Sequence, residues 1–199
     1  MDFILNEDQK MLRDTVRRIA GEKFAPIAAE IDEKEVFPSD SVSVLRDNGL
    51  LGIQIPEEYG GAGAGMLSMV LVVEEVARVC CSTSVILTTQ ALASDPLLLA
   101  GTEEQKKNFL RRLVTGDCLG ACGITEPGAG SDVSGMKTTA RKVDGGYVLD
   151  GAKIFITNGG EAEIVTVLAC TDRDKGNRGI SMLILDKGMP GFTVGKKEH

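Results

Sequence analysis

The feature that most restricts what this chain can fold into is a change of character near residue 116. Of its 24 glycines, 8 precede that point and 16 follow it, and the spacing of apolar residues shifts there from helical to alternating. A three-to-four-residue apolar period buries one stripe of a helix, whereas a two-residue period buries one face of a strand. Helical stretches come first and strand-like runs second, without interleaving, so a doubly wound parallel sheet is disfavoured. The pattern predicts an α+β chain of two domains, helices followed by antiparallel strands.

Within the first part, Asn6 with Gln9 three residues on forms a helix-start signal. Leu12, Val16, Ile19 and Ala20 then make one stripe, while Lys10, Arg13, Arg17 and Arg18 face water. Pro26 breaks that helix or opens the next, and Val42 and Leu45 share a face of a short helix closed at Asn48-Gly49. Residues 66–80 read as a buried helix with Glu74 and Arg78 paired four residues apart. Ser82 or Ser84 starts another helix, running to Ala100. Thr102 with Gln105 caps a last one, whose core face is Phe109, Leu110 and Leu113. From Leu119 onward, short β-branched runs predict strands at 137–143, 147–149, 153–157, 164–170, 180–185 and 192–194, with Asp144-Gly145-Gly146 as a hairpin turn.

Composition removes several function classes. The 22 Lys and Arg against 29 Asp and Glu give a formal charge of −7, so there is no general cationic surface for nucleic acid. No apolar run approaches the ~20 residues that cross a bilayer, and the acidic opening, with Asp2, Glu7 and Asp8, shows no targeting segment. The cytoplasm is the expected compartment. Five cysteines without a CxxC pair, two of them adjacent, are expected to be reduced, mostly buried small apolar residues. The single histidine, His199, excludes Ser-His and Cys-His catalysis and a histidine metal cluster within the chain, so any redox chemistry must come from a cofactor.

Three glycine-rich or turn-rich stretches remain. Gly60-Gly61-Ala62-Gly63-Ala64-Gly65 imitates a dinucleotide-binding loop, but the third glycine of the fingerprint falls on Met66, and a connecting loop is the better reading. The second stretch, 123–132, turns at Pro127-Gly128 and offers small residues whose N–H groups can approach a ligand, flanked by the hydroxyls of Thr125 and Ser131. It suits a flat, polar or phosphorylated ligand, although an ordinary wide turn has the same composition. The third, 153–160, reads as a strand that presents Phe155 and Thr157 on one face, for ring packing and an edge hydrogen bond or simply for the core.

Together, Ile124-Thr125-Glu126-Pro127-Gly128-Ala129-Gly130-Ser131-Asp132 and Asp150-Gly151-Ala152-Lys153-Ile154-Phe155-Ile156-Thr157-Asn158-Gly159-Gly160 resemble the central signature of the acyl-CoA dehydrogenases. Ile55-Pro56-Glu57-Glu58-Tyr59-Gly60-Gly61, Gly101 to Lys106 and Gly191 to Glu198 fall in order around it, and the likeness is greatest to the bacterial short-chain, butyryl-CoA type. The resemblance implies a helical domain over 1–116 and a β-barrel-like domain over 117–199, with FAD between the barrel and a third, helical-bundle domain that would follow His199. It places Cys122, Gly123, Ile124, Thr125, Gly130 and Ser131 along the flavin, with Thr125 at its pyrimidine side. Phe155, Ile156 and Thr157 would lie on the ring, and Ser131 where the pyrophosphate nears the substrate's pantetheine. Ser84, Val85 and Thr88 would line the acyl pocket.

The implied chemistry is α,β-dehydrogenation of an acyl-CoA thioester: a glutamate removes the α-proton and the β-hydrogen leaves as hydride to flavin N5. That base is expected beyond His199, so no catalytic residue is assigned within the chain, and Glu126 is read as structural or as support for the flavin loop. No metal is expected. An electron-transferring flavoprotein is the implied electron acceptor and a homotetramer the implied assembly. Lys137, Arg141 and Lys142 form either a basic patch for CoA or a solvated strand face. Cys122 and Phe155 stand where relatives often carry other side chains. The alternatives are a flavin oxidase or monooxygenase on the same scaffold, and a non-catalytic acyl-CoA or flavin-binding relative.

Overall fold

The computed structural model describes residues 4–197. These divide into two compact units, one ending at Cys118 and the other beginning at Leu119. Asp2, Glu198 and His199 lie outside the described residues.

The first unit is helical. Helix α1 (Glu7–Ile19) opens with the reciprocal cap at Asn6: its Oδ1 accepts the Gln9 N–H at 2.8 Å and Gln9 Oε1 accepts the Asn6 N–H at 3.0 Å. A π-helical turn (Ala20–Phe24) then leads without a break into α2 (Ala25–Lys34). Pro26 therefore stands in the first turn of α2, directly after the π turn. Helix α3 (Ser39–Asp47) ends at Asn48, and Gly49 takes the left-handed conformation there. Next come α4 (Gly65–Ala77), α5 (Cys81–Ala100), and a last helix comprising α6 (Glu103–Gln105), a π turn (Lys106–Leu110) and α7 (Arg111–Val114). Thr102 and Gln105 cap this last helix reciprocally. Phe24, Leu45, Ile55, Ile86, Leu87, Leu110 and Leu113 are fully buried. Gln90, buried among them, donates to the carbonyls of Leu113 and Cys118 at 2.7 and 3.2 Å. Among the described residues no helix is long and apolar enough to cross a membrane.

Two helical expectations are corrected. Helix α5 starts at Cys81, because Ser84 turns inward and donates to the Cys81 carbonyl instead of capping. The expected Glu74–Arg78 pair is replaced by Glu75, only 4% exposed. Glu75 receives Arg17 through two bonds of 2.9 and 2.7 Å and Arg78 at 3.1 Å. The hydrogen bonds and charge of Arg17, aided by Arg78, hold this carboxyl below the usual range despite its burial.

The second unit is one five-stranded sheet: β1 (Gly120–Gly123), β2 (Thr139–Val143), β3 (Gly146–Asp150), β4 (Ile164–Cys170) and β5 (Ile180–Asp186). β4 is central and buried along nearly its whole length, with β5 antiparallel on one side. On its other side β1 runs beside Ile164–Val167 and β2 touches it at Cys170, both parallel. The sheet is thus mixed where an antiparallel one was expected, since a two-residue period is common to both ladders and cannot distinguish them. β2 and β3 form the expected hairpin across Asp144-Gly145. Segments 153–157 and 192–194 are not strands. In the first, the backbone of Phe155 turns left-handed at φ 55°. In the second, Phe192 closes a turn onto Met189 and packs against Ala121, Ala162, Val165 and Val167.

The reassigned ion pair is open to direct test. Glu75→Ala should lower the free energy of unfolding in urea by about 2–3 kcal/mol, whereas Glu74→Ala, at an exposed position, should change it by less than about 0.5 kcal/mol.

Candidate functional site

β1 ends at Gly123, and the chain leaves the sheet until β2 begins at Thr139. After β3, the segment 151–157 returns to the end of β1, where the Ile154 N–H donates to the Thr125 carbonyl at 2.9 Å. The two stretches singled out in the sequence are therefore neighbours. Between them lies Glu126, 5% exposed. Lys153 Nζ donates to Glu126 Oε1 at 2.7 Å and to the Ile124 carbonyl at 3.0 Å. The backbone N–H groups of Lys137 and Thr138, at the far end of the excursion, donate to the same carboxylate at 2.6 and 3.0 Å. Burial alone would raise this carboxyl's pKa, but the Lys153 ammonium and the backbone donors outweigh it and hold it at about 2. A Cβ on Gly123 would sit 3.3 Å from Lys153 Cγ and 3.2 Å from Val167, so glycine there makes room for the lysine stem.

Around this pair the loop offers its groups outward. Glu126 and Ala129 exchange backbone hydrogen bonds of 2.9 and 3.1 Å across Pro127-Gly128, closing a tight turn. The N–H groups of Gly130 and Ser131, and the hydroxyls of Thr125 and Thr157, have no protein partner within the described residues. A Cβ on Gly128 or Gly130 would meet nothing within 4 Å. The protein's own packing does not require glycine there, whereas close approach by a ligand would. Phe155 is 71% exposed on left-handed backbone, a conformation costly for a bulky residue and held only where the surroundings over-determine it. Ile156 turns the other way, onto the Ala121, Ala162, Val165 and Val167 cluster. Buried Asn158, also left-handed, donates to the Gly120 carbonyl at 3.2 Å and ends the segment.

Thr125, Gly130, Ser131, Phe155 and Thr157 thus present groups outward, with Ile124 half-buried among them. The side chains of Cys122 and Ile156 face inward, and Gly123 is buried. Burial raises the Cys122 thiol's pKa against the opposing effects of Thr166 and Lys153. In the first unit, Val85 and Thr88 lie on an outward seam of α5, while Ser84 is buried and apart from them. Leu92, one turn beyond Thr88, continues that seam. Its position seven residues after Val85 was the signal that could have found it. Lys153 was quoted only as part of a motif, and no local period links it to Glu126, 27 residues earlier.

The Gly60–Gly65 loop keeps the connecting role expected of it. The N–H groups of Gly61, Ala62, Gly63 and Ala64 all go to carbonyls of residues 52–56, so none of these four is open to a phosphate. Arg141 and Lys142 are adjacent on β2 and so point to opposite faces, which removes the single basic patch. Among the described residues no group of three His, Cys, Asp or Glu could hold a metal ion.

The family model for the acyl-CoA dehydrogenase N-terminal domain matches residues 6–117, and that for the acyl-CoA dehydrogenase middle domain matches 121–199. A short-chain-specific acyl-CoA dehydrogenase of Clostridium acetobutylicum is 46% identical over all of this chain, which covers 53% of that relative. The structure of butyryl-CoA dehydrogenase from Megasphaera elsdenii matches with a TM-score of 0.94 and 44% identity, covering 100% of this chain and 53% of that one. An FAD complex of PigA matches with a TM-score of 0.91 and 32% identity, over 98% of this chain and 52% of that one. The chain spans about half the length of the curated relatives it matches.

Because the Glu126 pKa is depressed, its stabilising effect is complete above its ordinary value of 4.5 and is lost as pH falls towards about 2. Unfolding midpoints measured from pH 6 to pH 2 should therefore fall less steeply over that window in Glu126→Gln than in the parent. Phe155→Asn should raise stability by about 0.5–1 kcal/mol, because Asn tolerates the left-handed region and little buried apolar area is lost. Thermal melts of the two proteins would measure it.

Proposed function

The chain belongs to the acyl-CoA dehydrogenase family, and from that premise we propose that it forms the FAD-binding and part of the acyl-binding portion of a short-chain acyl-CoA dehydrogenase. The observation that carries this reading is the outward surface built by Thr125, Gly128, Gly130, Ser131, Phe155 and Thr157. It offers a strained, exposed aromatic ring, two unengaged hydroxyls, free N–H groups and glycine positions open to a close neighbour. That donor set fits FAD: a flat ring system with hydrogen-bonding edges, joined to a pyrophosphate that backbone N–H groups can hold. When bound, FAD supplies the hydride acceptor for the β-hydrogen of the thioester.

The chain's own residues bind and orient. Thr125 and Thr157 would donate hydrogen bonds to the edge of the flavin ring, and Phe155 would shield the ring from water. Gly130 and Ser131 direct N–H groups to the pyrophosphate, Ser131 adding its hydroxyl near the pantetheine. Cys122, Gly123 and Ile156 contribute through their backbone, their side chains serving the core. Val85 and Thr88, with Leu92, face the acyl chain, and Ser84 supports that helix from behind. The α-proton is taken by a glutamate in the portion of the relatives that this chain does not match. The acceptor of the electrons is an electron-transferring flavoprotein, the working assembly a homotetramer, and the compartment the cytoplasm.

The full-length protein should purify with an oxidised-flavin absorption band that bleaches when butyryl-CoA is added without oxygen. A band that persists with every short, branched or cyclic acyl-CoA would leave FAD binding standing and sink the dehydrogenase reading. Rapid re-oxidation by air would favour the oxidase alternative, and folded protein without flavin would sink the cofactor assignment.

A further inference from the structure

We infer that the Glu126–Lys153 pair is a positioning device that registers the Thr125–Ser131 loop against the Phe155–Thr157 segment and keeps a lysine charge neutralised at their junction. The inference rests on reading that surface as an FAD site. Among the described residues, the two segments are joined by one backbone hydrogen bond, Ile154 N–H to the Thr125 carbonyl, and by the Lys153 ammonium, which spans to Ile124 and Glu126. The same carboxylate holds the N–H groups of Lys137 and Thr138, so a single side chain pins the 124–138 excursion near both its ends.

Three observations separate this from ordinary packing. A buried ion pair adds little net stability compared with an apolar pair of the same volume, so stability alone is a poor account of it. Thr125 is held through its carbonyl, which accepts from Ile154, and the left-handed Phe155 needs anchors on both sides, which Lys153 and Asn158 supply two residues before it and three after it. The pair is also nearly dry, the side chains being 10% and 4% exposed, so a charge left unbalanced there is weakly screened and acts on whatever lies over the loop.

The electrostatic half gives a signature that a merely structural role would not. Removing the carboxylate leaves Lys153 positive and favours an added electron nearby. Removing the ammonium leaves Glu126 negative and disfavours it. In the full-length, FAD-loaded protein, Glu126→Gln should shift the flavin reduction potential upward and Lys153→Met downward. Each should weaken FAD binding about tenfold or more, read by fluorescence titration of the apoprotein. Lys153→Met keeps the stem against Gly123, so it remains informative if Glu126→Gln fails to fold. In both variants the Ile154 amide should lose hydrogen-exchange protection. Unchanged FAD affinity and potential in the folded variants, or potential shifts of the same sign, would overturn the inference. If the parent protein takes up no FAD, the functional reading falls on its own account. The Ile154 amide then decides the matter, since unchanged exchange in both variants would still overturn the clamp.

Discussion

A carboxylate removed from water must find compensation on every side, and in this chain Glu126 does so by drawing together groups far apart in sequence. Its charge meets the Lys153 ammonium and the backbone N–H groups of Lys137 and Thr138, just before β2. The positions of the 124–138 excursion and of the segment after β3 follow from that requirement. Were the ammonium and both backbone donors withdrawn together, burial would force the carboxylate to take up a proton or move to solvent, and neither segment would have a reason to stand where it does.

Around this anchor the second unit divides its labour residue by residue. Ile156 packs inward on the alanine and valine cluster, while its neighbours Phe155 and Thr157 project outward. The strain at Phe155 is tolerable because both flanks are fixed, on one side by the lysine and on the other by the Asn158 amide on Gly120. A rigid central strand beneath and an outward surface of open glycines and unengaged hydroxyls is the arrangement that a planar, phosphorylated cofactor needs. The first unit shows a parallel economy: α5 is buried around most of its circumference and leaves one seam, Val85, Thr88 and Leu92, facing out.

Features made by neighbours in sequence were legible beforehand. The caps at Asn6 and Thr102 each close within three residues, and the Asp144-Gly145 turn needs only its own backbone preference. The motif around Thr125 and Phe155 was legible because its spacing is specific to a family. The choice between Glu74 and Glu75 was not, since either fits a helical repeat and only the approach of Arg17 from α1 selects the buried one. Segment 153–157 read as a strand because its alternation of side chains survives in the structure while its backbone does not.

The sequence by itself determined the order of helices and sheet, the capped helix starts at Asn6 and Thr102, the hairpin and the family, because these depend on local periodicity, capping chemistry and motif spacing. The tertiary structure alone decided which strands run parallel, which glutamate each cation meets, that Ser84 turns inward, and that Phe155 stands exposed on strained backbone. Those outcomes arise from burial and charge compensation between residues tens of positions apart, for which no local pattern carries a signal.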